Sequence, residues 1–288
     1  MTERVRIVSL HAYPVKGCRA IDLPRAGVTP TGLQWDRNWM FIDAANRFLS
    51  QRECPGLARV DVRVADDHLV FGAAGHEELH CPIETGTERR QVTIWRDSPI
   101  AEVCSVDTRD WLERVTGVRG QLVRGLAGGE RRCDPTFTGA DVGKAFFPDA
   151  YSMLVTNVAS LAALNERLPE PLPMNRFRPN IVVEGAGAFD EDHMTWLRAG
   201  PLALKCVKPC TRCIVTTTDQ RTGERRGEEP LRALRRFRWV PALKGVAFGM
   251  NAIVTAGVGS QLAVGQELDV EWHPRSAPAR WTFRAEAV

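Results

Sequence analysis

The stretch "KCVKPCTRCIVTTTDQRTG", residues 205–223, carries three of the eight cysteines of the chain among lysines and arginines. Cys206 alternates in phase with the leucines before it, which predicts a strand that buries this cysteine in the core. The β-branched run "CIVTTTD" that starts at Cys213 predicts a second strand. The stretch therefore indicates two strands, with Cys210 and Cys213 near the connection between them.

The rest of the second half is predicted to mix helices with antiparallel strands. The segment "TNVASLAALNERL" has apolar residues at helical spacing, Asn157 as an N-cap and Pro169 as a stop. The segment "DEDHMTWLRAG" predicts a short helix closed by Gly200, and "EEPLRALRRFR" predicts another. Further strands are predicted at "NIVVEG", "FGMNAIVTAG" and "QELDVEW". This pattern is compatible with a barrel flanked by helices.

The first 120 residues are predicted to form mostly short strands, with a hairpin that turns at Ala45 and Asn46. The segment "GLAGGERRCDPTFTG" combines glycine, charge and proline without periodicity, as linkers and loops do. We therefore predict two domains, 1–124 and 125–288. The predicted fold class is α+β, with a β-rich N-terminal domain packed on a β-barrel with flanking helices.

The composition is typical of a globular protein and shows no charge excess for nucleic-acid binding. The chain of 288 residues has 44% hydrophobic and 25% charged residues, with a formal net charge of +3. The sequence shows no apolar signal-peptide segment and no apolar run of the roughly 18 residues that span a bilayer. We expect a cytoplasmic protein that binds neither nucleic acid nor membrane and keeps its cysteines reduced.

The motif "HEELH" at residues 76–80 fits a zinc-protease pattern, in which two histidines four residues apart bind zinc from one face of a helix. Gly72 and Gly75 precede the motif and Cys81-Pro82 follows it, so a helix of several turns has no room. We interpret the motif as a polar turn between strands.

The cysteines of the opening stretch allow more than one chemistry. The spacing of Cys206, Cys210 and Cys213 fits iron-sulfur clusters that bind S-adenosylmethionine. Such triplets stand early in a large βα barrel, however, and here only 75 residues follow (288 − 213 = 75). Cys210 and Cys213 also form a CxxC pair, either a redox disulfide or half of a zinc site, but the sequence has no second CxxC to complete four thiolates.

A single thiolate beside cations is the remaining interpretation. Cationic neighbours raise the thiolate fraction of a cysteine, and the thiolate is the form that binds metals. Guanidinium groups also match the oxygens of phosphate. The candidate cations are Lys16, Arg19, Arg176, Arg178, Lys205, Lys208 and Arg212. The pattern indicates a phosphorylated, metal-bearing cofactor or a phosphorylated substrate, and the simpler alternative is a solvated basic surface.

Four separated motifs resemble the MOSC family with its N-terminal β-barrel-like companion domain, which includes bacterial homologues of the mitochondrial amidoxime reducing component. The resemblance spans the chain from about Ile7 to Trp272. The motifs, in order, are "YPVKGC" near the start, "GLQWDRNWM" at 32–40, "NRFRPNIVVEGAGAFDEDHMTW" at 175–196 and "CTRCIVTTTDQRTG" at 210–223.

The resemblance implies a molybdopterin cofactor between the two domains, with molybdenum bound by the pterin dithiolene, oxo groups and one protein cysteine. The motif places this metal ligand and catalytic residue at Cys213, which makes Cys210 a neighbour. The positions that match the family's contacts to the pterin and its phosphate are Lys16, Gly17, Arg37, Ala150, Tyr151, Arg178, Asn180 and Thr211. Some members carry Ser in place of Gly17 and Thr-Ser in place of Ala150 and Tyr151. Side-chain bonds at these positions would be replaced by backbone contacts or lost.

The function implied by the resemblance is that of a molybdenum-dependent oxidoreductase that reduces N-hydroxylated small molecules to amidines or amines. Some members carry a desulfurase or a ferredoxin domain, whose signatures we do not find in this sequence. We therefore expect electrons from a separate donor protein of the ferredoxin or flavin-reductase type. The alternative is a carrier of sulfur or of molybdenum cofactor that acts through Cys213 without turnover.

Overall fold

The computed structural model describes residues 3–84, 87–274 and 276–285, and strands dominate it. The strands of the first half are β1 (Arg4–Ala12), β2 (Ile21–Leu23), β3 (Arg25–Thr29), β4 (Gly32–Leu33), β5 (Trp39–Ile42), β6 (Asp61–Ala65), β7 (His68–Ala73), β8 (His76–Pro82), β9 (Arg89–Gln91), β10 (Ile100–Val103), β11 (Gln121–Gly125), β12 (Arg131–Arg132) and β13 (Lys144–Ala145). Those of the second half are β14 (Met153–Asn157), β15 (Ile181–Glu184), β16 (Met194–Ala199), β17 (Leu202–Thr211), β18 (Trp239–Val240), β19 (Gly245–Ala256), β20 (Gln261–Ala263) and β21 (Glu267–Trp272).

The helices are short and lie between the strands. The α-helices are α1 (Asp107–Thr116), α2 (Pro135–Thr138), α3 (Val158–Asn165) and α4 (Leu231–Arg235). The 3-10 segments are Pro55–Arg59, Met174–Phe177, Asp190–His193, Ile214–Thr217 and Pro241–Leu243. None of the helices in the described ranges has the length and apolar character needed to cross a membrane.

Seven strands close into a barrel in the order β14, β15, β1, β21, β16, β17, β19, and β14 pairs with β19 to complete the ring. β14 and β15 run parallel, whereas the other neighbours run antiparallel. The strand-rich architecture confirms the predicted α+β fold with a β-barrel. The division into residues 1–124 and 125–288 stays a prediction. The pairing shows that β1, from the first half of the chain, is one of the strands of the barrel.

The barrel strands contribute one apolar core. Leu202, Leu204 and Cys206 alternate along β17 and are all buried in this core. The predicted role of Cys206 as a core side chain is confirmed. A thiol packed in hydrocarbon costs little free energy while it stays protonated, and burial indeed raises the pKa of Cys206 to about 12.

The other half of the molecule has its own core. β5, β11, β10 and β9 form one sheet, β6, β7 and β8 form another, and α1 packs beside them. Aromatic side chains fill the space between, with Phe71 lying 5.7 Å from Trp111 and 6.1 Å from Phe41 between ring centroids. This core is separate from the apolar core of the barrel.

Two local predictions are wrong where strand pairing decides the conformation. "HEELH" lies within strand β8, which pairs with β7, and is not a turn. The helix predicted at 190–200 is a 3-10 segment, Asp190–His193, followed by β16, which pairs with β17 and β21. The ladder hydrogen bonds to two neighbouring strands outweigh the local helical pattern.

The strand predicted from Cys213 onward is also wrong, because Ile214–Thr217 form a 3-10 segment. The hydroxyls of Thr216 and Thr217 donate to the carbonyl oxygens of Cys213 and Ile214, at 2.9 and 2.8 Å. Threonine hydroxyls that bond to nearby backbone in this way compete with sheet formation. The chain consequently turns sharply just after Cys213.

Candidate functional site

A cleft of about 360 Å³ lies between the two halves of the chain. It is lined by all the residues predicted to contact a cofactor, which are Lys16, Gly17, Arg37, Ala150, Tyr151, Arg178, Asn180, Thr211 and Cys213. These positions are far apart in sequence, and the fold brings them together. Their role in binding stays a prediction.

Cys213 lies where β17 has ended and the chain turns into the 3-10 segment Ile214–Thr217. Its side chain is half-buried and lines the cleft. Arg52 Nη2 donates a hydrogen bond to Cys213 Sγ at 3.1 Å. The thiol is thus accessible from the cleft and has a cation beside it, in contrast to the core thiol of Cys206.

Arg52 is held from several sides. Its Nη2 lies 3.6 Å from Asp149 Oδ2, and its guanidinium lies 4.6 Å from the ring centroid of Trp95. Arg225 donates to the carbonyl oxygens of Gln51 and Arg52, which fixes the backbone at that turn. The guanidinium therefore has little freedom to leave the sulfur.

Lys16 is buried in the cleft wall and donates to the carbonyl oxygen of Phe147 at 2.9 Å and to the carboxylate of Asp149. Burial lowers the pKa of Lys16, and Asp149 opposes that shift. Desolvation would raise the pKa of Asp149, but the charges of Lys16 and Arg52 outweigh it and hold this pKa well below its ordinary value. Asp149 is accordingly ionised at neutral pH.

Arg37 and Arg178 both stack on the ring of Tyr13, each with its guanidinium carbon 4.2 Å from the ring centroid. Arg37 also donates to Asp36 Oδ2 at 2.6 Å and to Asn180 Oδ1 at 3.0 Å. Burial raises the pKa of Tyr13 to about 12 and lowers the pKa of Arg178 to about 10. At neutral pH the tyrosine is therefore neutral and Arg178 is charged, and the contacts with Tyr13 fix both guanidinium groups in the cleft wall.

The wall beside Arg178 is closed by a pair of buried amides. Gln51 Nε2 donates to Gln220 Oε1 and Gln220 Nε2 donates to Gln51 Oε1, both at 2.9 Å. Arg178 Nη1 donates to the same Gln220 oxygen at 3.1 Å, and Gln51 Nε2 reaches the carbonyl oxygen of Gly17 at 2.7 Å. These bonds connect the first half of the chain to the second.

The remaining predicted residues form other parts of the wall. Gly17 has φ +88°, a conformation that other residues rarely adopt, and a Cβ there would lie 2.9 Å from Leu57 Cδ1. Ala150 is exposed, whereas Tyr151 is buried and its hydroxyl makes no hydrogen bond within the described ranges. Thr211 is the last residue of β17 and is exposed.

The candidate cations divide into two groups. Lys16, Arg178, Lys208 and Arg212 line the cleft. The others pair with carboxylates outside it: Lys205 with Asp141 at 2.6 Å, Arg176 with Asp219 at 3.1 Å and Arg19 with Asp61 at 2.9 Å. Of the three candidate cations near Cys213 in sequence, Lys208 and Arg212 therefore line the cleft and Lys205 does not.

Sequence reasoning missed Arg52, the one side chain among the described residues that donates a hydrogen bond to Cys213 Sγ, and it missed Trp95 beneath it. Arg52 lies in "LSQREC", a polar stretch with no periodicity that would distinguish this arginine from the other cations of the chain. No local signal in the sequence identifies it.

The cleft has a strong excess of positive charge. Its cationic side chains are Lys16, Arg37, Arg52, Arg178, Lys208 and Arg212, and among its described lining residues Asp149 carries the one carboxylate. The Nε of Arg212 is buried without a hydrogen-bond partner in the described part of the chain. A cleft with spare donors, surplus positive charge and an accessible thiol fits a phosphorylated ligand that carries a soft metal.

Two family models match successive parts of the chain. The MOSC N-terminal beta barrel domain matches residues 4–119, and the MOSC domain matches residues 142–269. Mitochondrial amidoxime-reducing component 1 is 30% identical in Mus musculus and 31% identical in Homo sapiens, in each case over 81% of this chain and over 71% and 72% of the relative. The molybdenum cofactor sulfurase of Drosophila grimshawi is 30% identical over 77% of this chain and 29% of its own length. With both domains matched in order around the cleft, the chain belongs to the MOSC family.

Proposed function

We propose that this protein is a molybdenum-cofactor-dependent oxidoreductase that reduces N-hydroxylated small molecules in the cleft around Cys213. The observation that carries the proposal is the position of Cys213 Sγ, accessible from a cation-lined cleft and 3.1 Å from Arg52 Nη2. Two relatives at 30% and 31% identity bear the name amidoxime-reducing component, which supports the substrate class.

The residues of the cleft fit a molybdopterin cofactor. Cys213 would ligate the molybdenum, since soft thiolates suit such metals, and Arg37 and Arg178 would hold the phosphate through their guanidinium groups. Lys16, Gly17, Ala150, Tyr151, Asn180 and Thr211 would line the pterin. When bound, the cofactor supplies the electron transfer and the removal of oxygen from the N–O group.

The chain itself contributes position and charge. Tyr13, in contact with both Arg37 and Arg178, keeps both guanidiniums fixed before a ligand arrives, so little ordering cost remains at binding. Asp149, ionised at neutral pH, orients Lys16 and Arg52. Cys213 is held by the turn that its carbonyl makes with Thr216.

The first test is elemental analysis and activity of protein expressed in a host that makes the cofactor. We expect a stoichiometric amount of molybdenum per chain and reduction of benzamidoxime when a chemical reductant is supplied. In the Cys213→Ala variant the molybdenum content and the rate of benzamidoxime reduction should both fall. Loss of a group that only hydrogen-bonds a metal ligand costs about 10- to 100-fold, and loss of the ligand itself should cost more.

Cys210→Ser is the matched control, because it changes a second thiol of the same cleft whose sulfur accepts from Arg212 Nη1 at 2.8 Å instead. It should retain its molybdenum. Equal molybdenum contents and equal rates in wild type and Cys213→Ala would contradict the assigned role of Cys213.

The electrons are proposed to come from a separate redox protein of the ferredoxin or flavin-reductase type. The word "component" in the names of the relatives supports a system of more than one protein. The holoprotein should turn over with reduced methyl viologen and not with NADH alone. Turnover with NADH alone, in protein free of other polypeptides, would contradict the separate donor.

A carrier of sulfur or of molybdenum cofactor is the second candidate function, and the match to a molybdenum cofactor sulfurase favours it. The carrier would hold a persulfide on Cys213, or the cofactor itself, and pass it to another enzyme. Mass spectrometry of the intact chain separates the two proposals. A persulfide on Cys213 in protein without molybdenum supports the carrier, whereas molybdenum with benzamidoxime turnover supports the reductase.

A further inference from the structure

We propose that Arg52 is a positioning residue that orients Cys213 Sγ and raises the reduction potential of the metal bound to it. This inference rests on the proposed function, in which Cys213 is the metal ligand. Nothing in the family motifs singled out Arg52, and its role follows from its contacts.

Arg52 Nη2 donates a hydrogen bond to Cys213 Sγ at 3.1 Å and forms an ion pair with Asp149 Oδ2 at 3.6 Å. Only 24% of its side chain is exposed, so water competes weakly for its donors. Because the same nitrogen contacts both groups, the charge of the carboxylate favours the guanidinium position from which Arg52 donates to the sulfur.

The guanidinium of Arg52 stacks on the ring of Trp95. Trp95 has φ +55°, a left-handed conformation that is unusual for a bulky residue, and 44% of it is exposed. Such a residue contributes little to the core, and strained conformations of this kind cluster at functional sites. Its ring contacts are Phe48, at 4.9 Å between centroids, and the guanidinium of Arg52 at 4.6 Å. The strained turn thus presents an aromatic face to Arg52.

Arg52 also changes the electrostatic environment of Cys213 Sγ. A hydrogen bond and a positive charge at a metal-bound sulfur withdraw electron density from the metal and favour its more reduced state. Arg52 brings both to Cys213 from a side chain that is only 24% exposed. The other cations of the cleft contribute to its general field, whereas Arg52 alone among the described residues donates a hydrogen bond to the sulfur.

The test compares molybdenum-loaded wild type with Arg52→Gln and Arg52→Lys. The readouts are molybdenum content, the midpoint potential of the molybdenum(V) signal in a redox titration followed by electron paramagnetic resonance, and the shape of that signal. We expect Arg52→Gln to shift the redox equilibrium at least about tenfold toward the oxidised state, which is a potential lower by about 59 mV for a one-electron couple.

Arg52→Lys keeps the charge but lacks the planar fork that stacks on Trp95. It should keep a potential between those of wild type and Arg52→Gln, with an altered molybdenum(V) spectrum because the sulfur is held differently. Arg212→Gln is the matched control: it removes an equal charge from the same cleft, but its guanidinium contacts Cys210 Sγ. Its shift in potential should be clearly smaller than that of Arg52→Gln.

The outcomes separate this inference from the function on which it rests. If wild type binds no molybdenum, the proposed function and the inference about Arg52 are both overturned. If wild type is loaded and Arg52→Gln keeps the wild-type potential, or shifts no more than Arg212→Gln, the inference is overturned and the function stands. If Arg52→Gln does not fold or load, Arg52→Lys decides, since a wild-type potential together with a wild-type spectrum in that variant overturns the positioning role.

Discussion

Gly17 illustrates how one residue of the cleft wall depends on its conformation. Both its positive φ and the 2.9 Å approach of a Cβ to Leu57 oppose any side chain. We predict that Gly17→Ala lowers the free energy of unfolding by about 2–4 kcal/mol, from roughly 1–2 kcal/mol of backbone strain plus the cost of overpacking. Urea denaturation followed by circular dichroism measures this change.

Gly75 provides the control, because it has φ +80° and no described atom lies within 4 Å of the position that a Cβ would occupy. Gly75→Ala should show only the backbone strain, so the difference between the two variants isolates the contact with Leu57. Equal losses in both variants would mean that the leucine moves aside without cost.

At the residue scale, the sequence predicts the thiol of the site and not its partner. Cys213 can be identified because it belongs to a local motif, and the other residues predicted to contact a cofactor line the same cleft. Arg52 lies 161 positions away from Cys213 in sequence, and their contact exists only after both halves have folded. A contact of this kind leaves no local pattern for sequence reasoning to find.

At the scale of elements, local sequence patterns correctly predict a helix or strand where the backbone conformation is determined by residues close in sequence. α3 is predicted from its periodicity and its cap, and the side chain of Asn157 indeed accepts from Ala159 N at 3.2 Å. β16 and β8 are missed because their conformation depends on partner strands. α1 is also missed, although its buried residues Trp111, Leu112 and Val115 follow a helical period.

The 3-10 segment Asp190–His193 carries a buried acid network with a predictable pH response. Glu191 Oε2 accepts from Ser160 Oγ at 2.6 Å, while Asp192 makes two bonds with Arg238 at 2.7 and 2.9 Å. Burial, reinforced by the charge of Asp192, raises the pKa of Glu191 to about 8. The folded chain therefore binds this proton more tightly than the unfolded chain, in which Glu191 has its ordinary pKa.

Since the folded pKa is the higher one, the free energy of unfolding should fall as pH rises from about 4.5 to about 8 and then level off. At roughly 1.4 kcal/mol per pKa unit, the fall attributable to Glu191 is a few kcal/mol. Glu191→Gln should remove that part of the pH dependence, as measured by urea denaturation at several pH values. The exposed Glu170→Gln should leave it in place, and an unchanged slope in Glu191→Gln would contradict the assignment.

At the scale of the whole molecule, the amide pair Gln51–Gln220 joins the two halves of the chain. Both side chains are buried and exchange two hydrogen bonds of 2.9 Å. In a double-mutant cycle with Gln51→Ala and Gln220→Ala, we predict a coupling energy of about 1–2 kcal/mol in the free energy of unfolding, because either single variant leaves a buried amide without its partner.

The exposed pair Arg63–Glu78 is the comparison, with N···O 2.6 Å and side chains 62% and 52% exposed. Its coupling should not exceed about 1 kcal/mol, since surface ion pairs are screened by water. If the effects of the Gln51 and Gln220 substitutions simply add, the amide pair does not connect the halves energetically.

The class of the fold can be predicted from the sequence, but the order of the strands in the barrel cannot. Alternating apolar residues and turn signals predict short strands and a barrel, because both depend on side chains close in sequence. The neighbour of each strand depends on packing across the whole chain. β1 stands between β15 and β21, and no spacing within "VRIVSLHAYPVKG" indicates that.

The place of β1 in the barrel affects how the chain folds during translation. Val5 pairs with Leu268, and Ile7 pairs with Val183, so the ribosome delivers this strand long before either partner. β2 can pair early with Leu10–Ala12, but at about 5–20 residues per second the segment Arg4–Arg6 waits on the order of ten seconds or more for β21, with its hydrogen-bonding edge unprotected. Nascent chains of this protein should therefore depend on chaperones that shield a strand edge during translation.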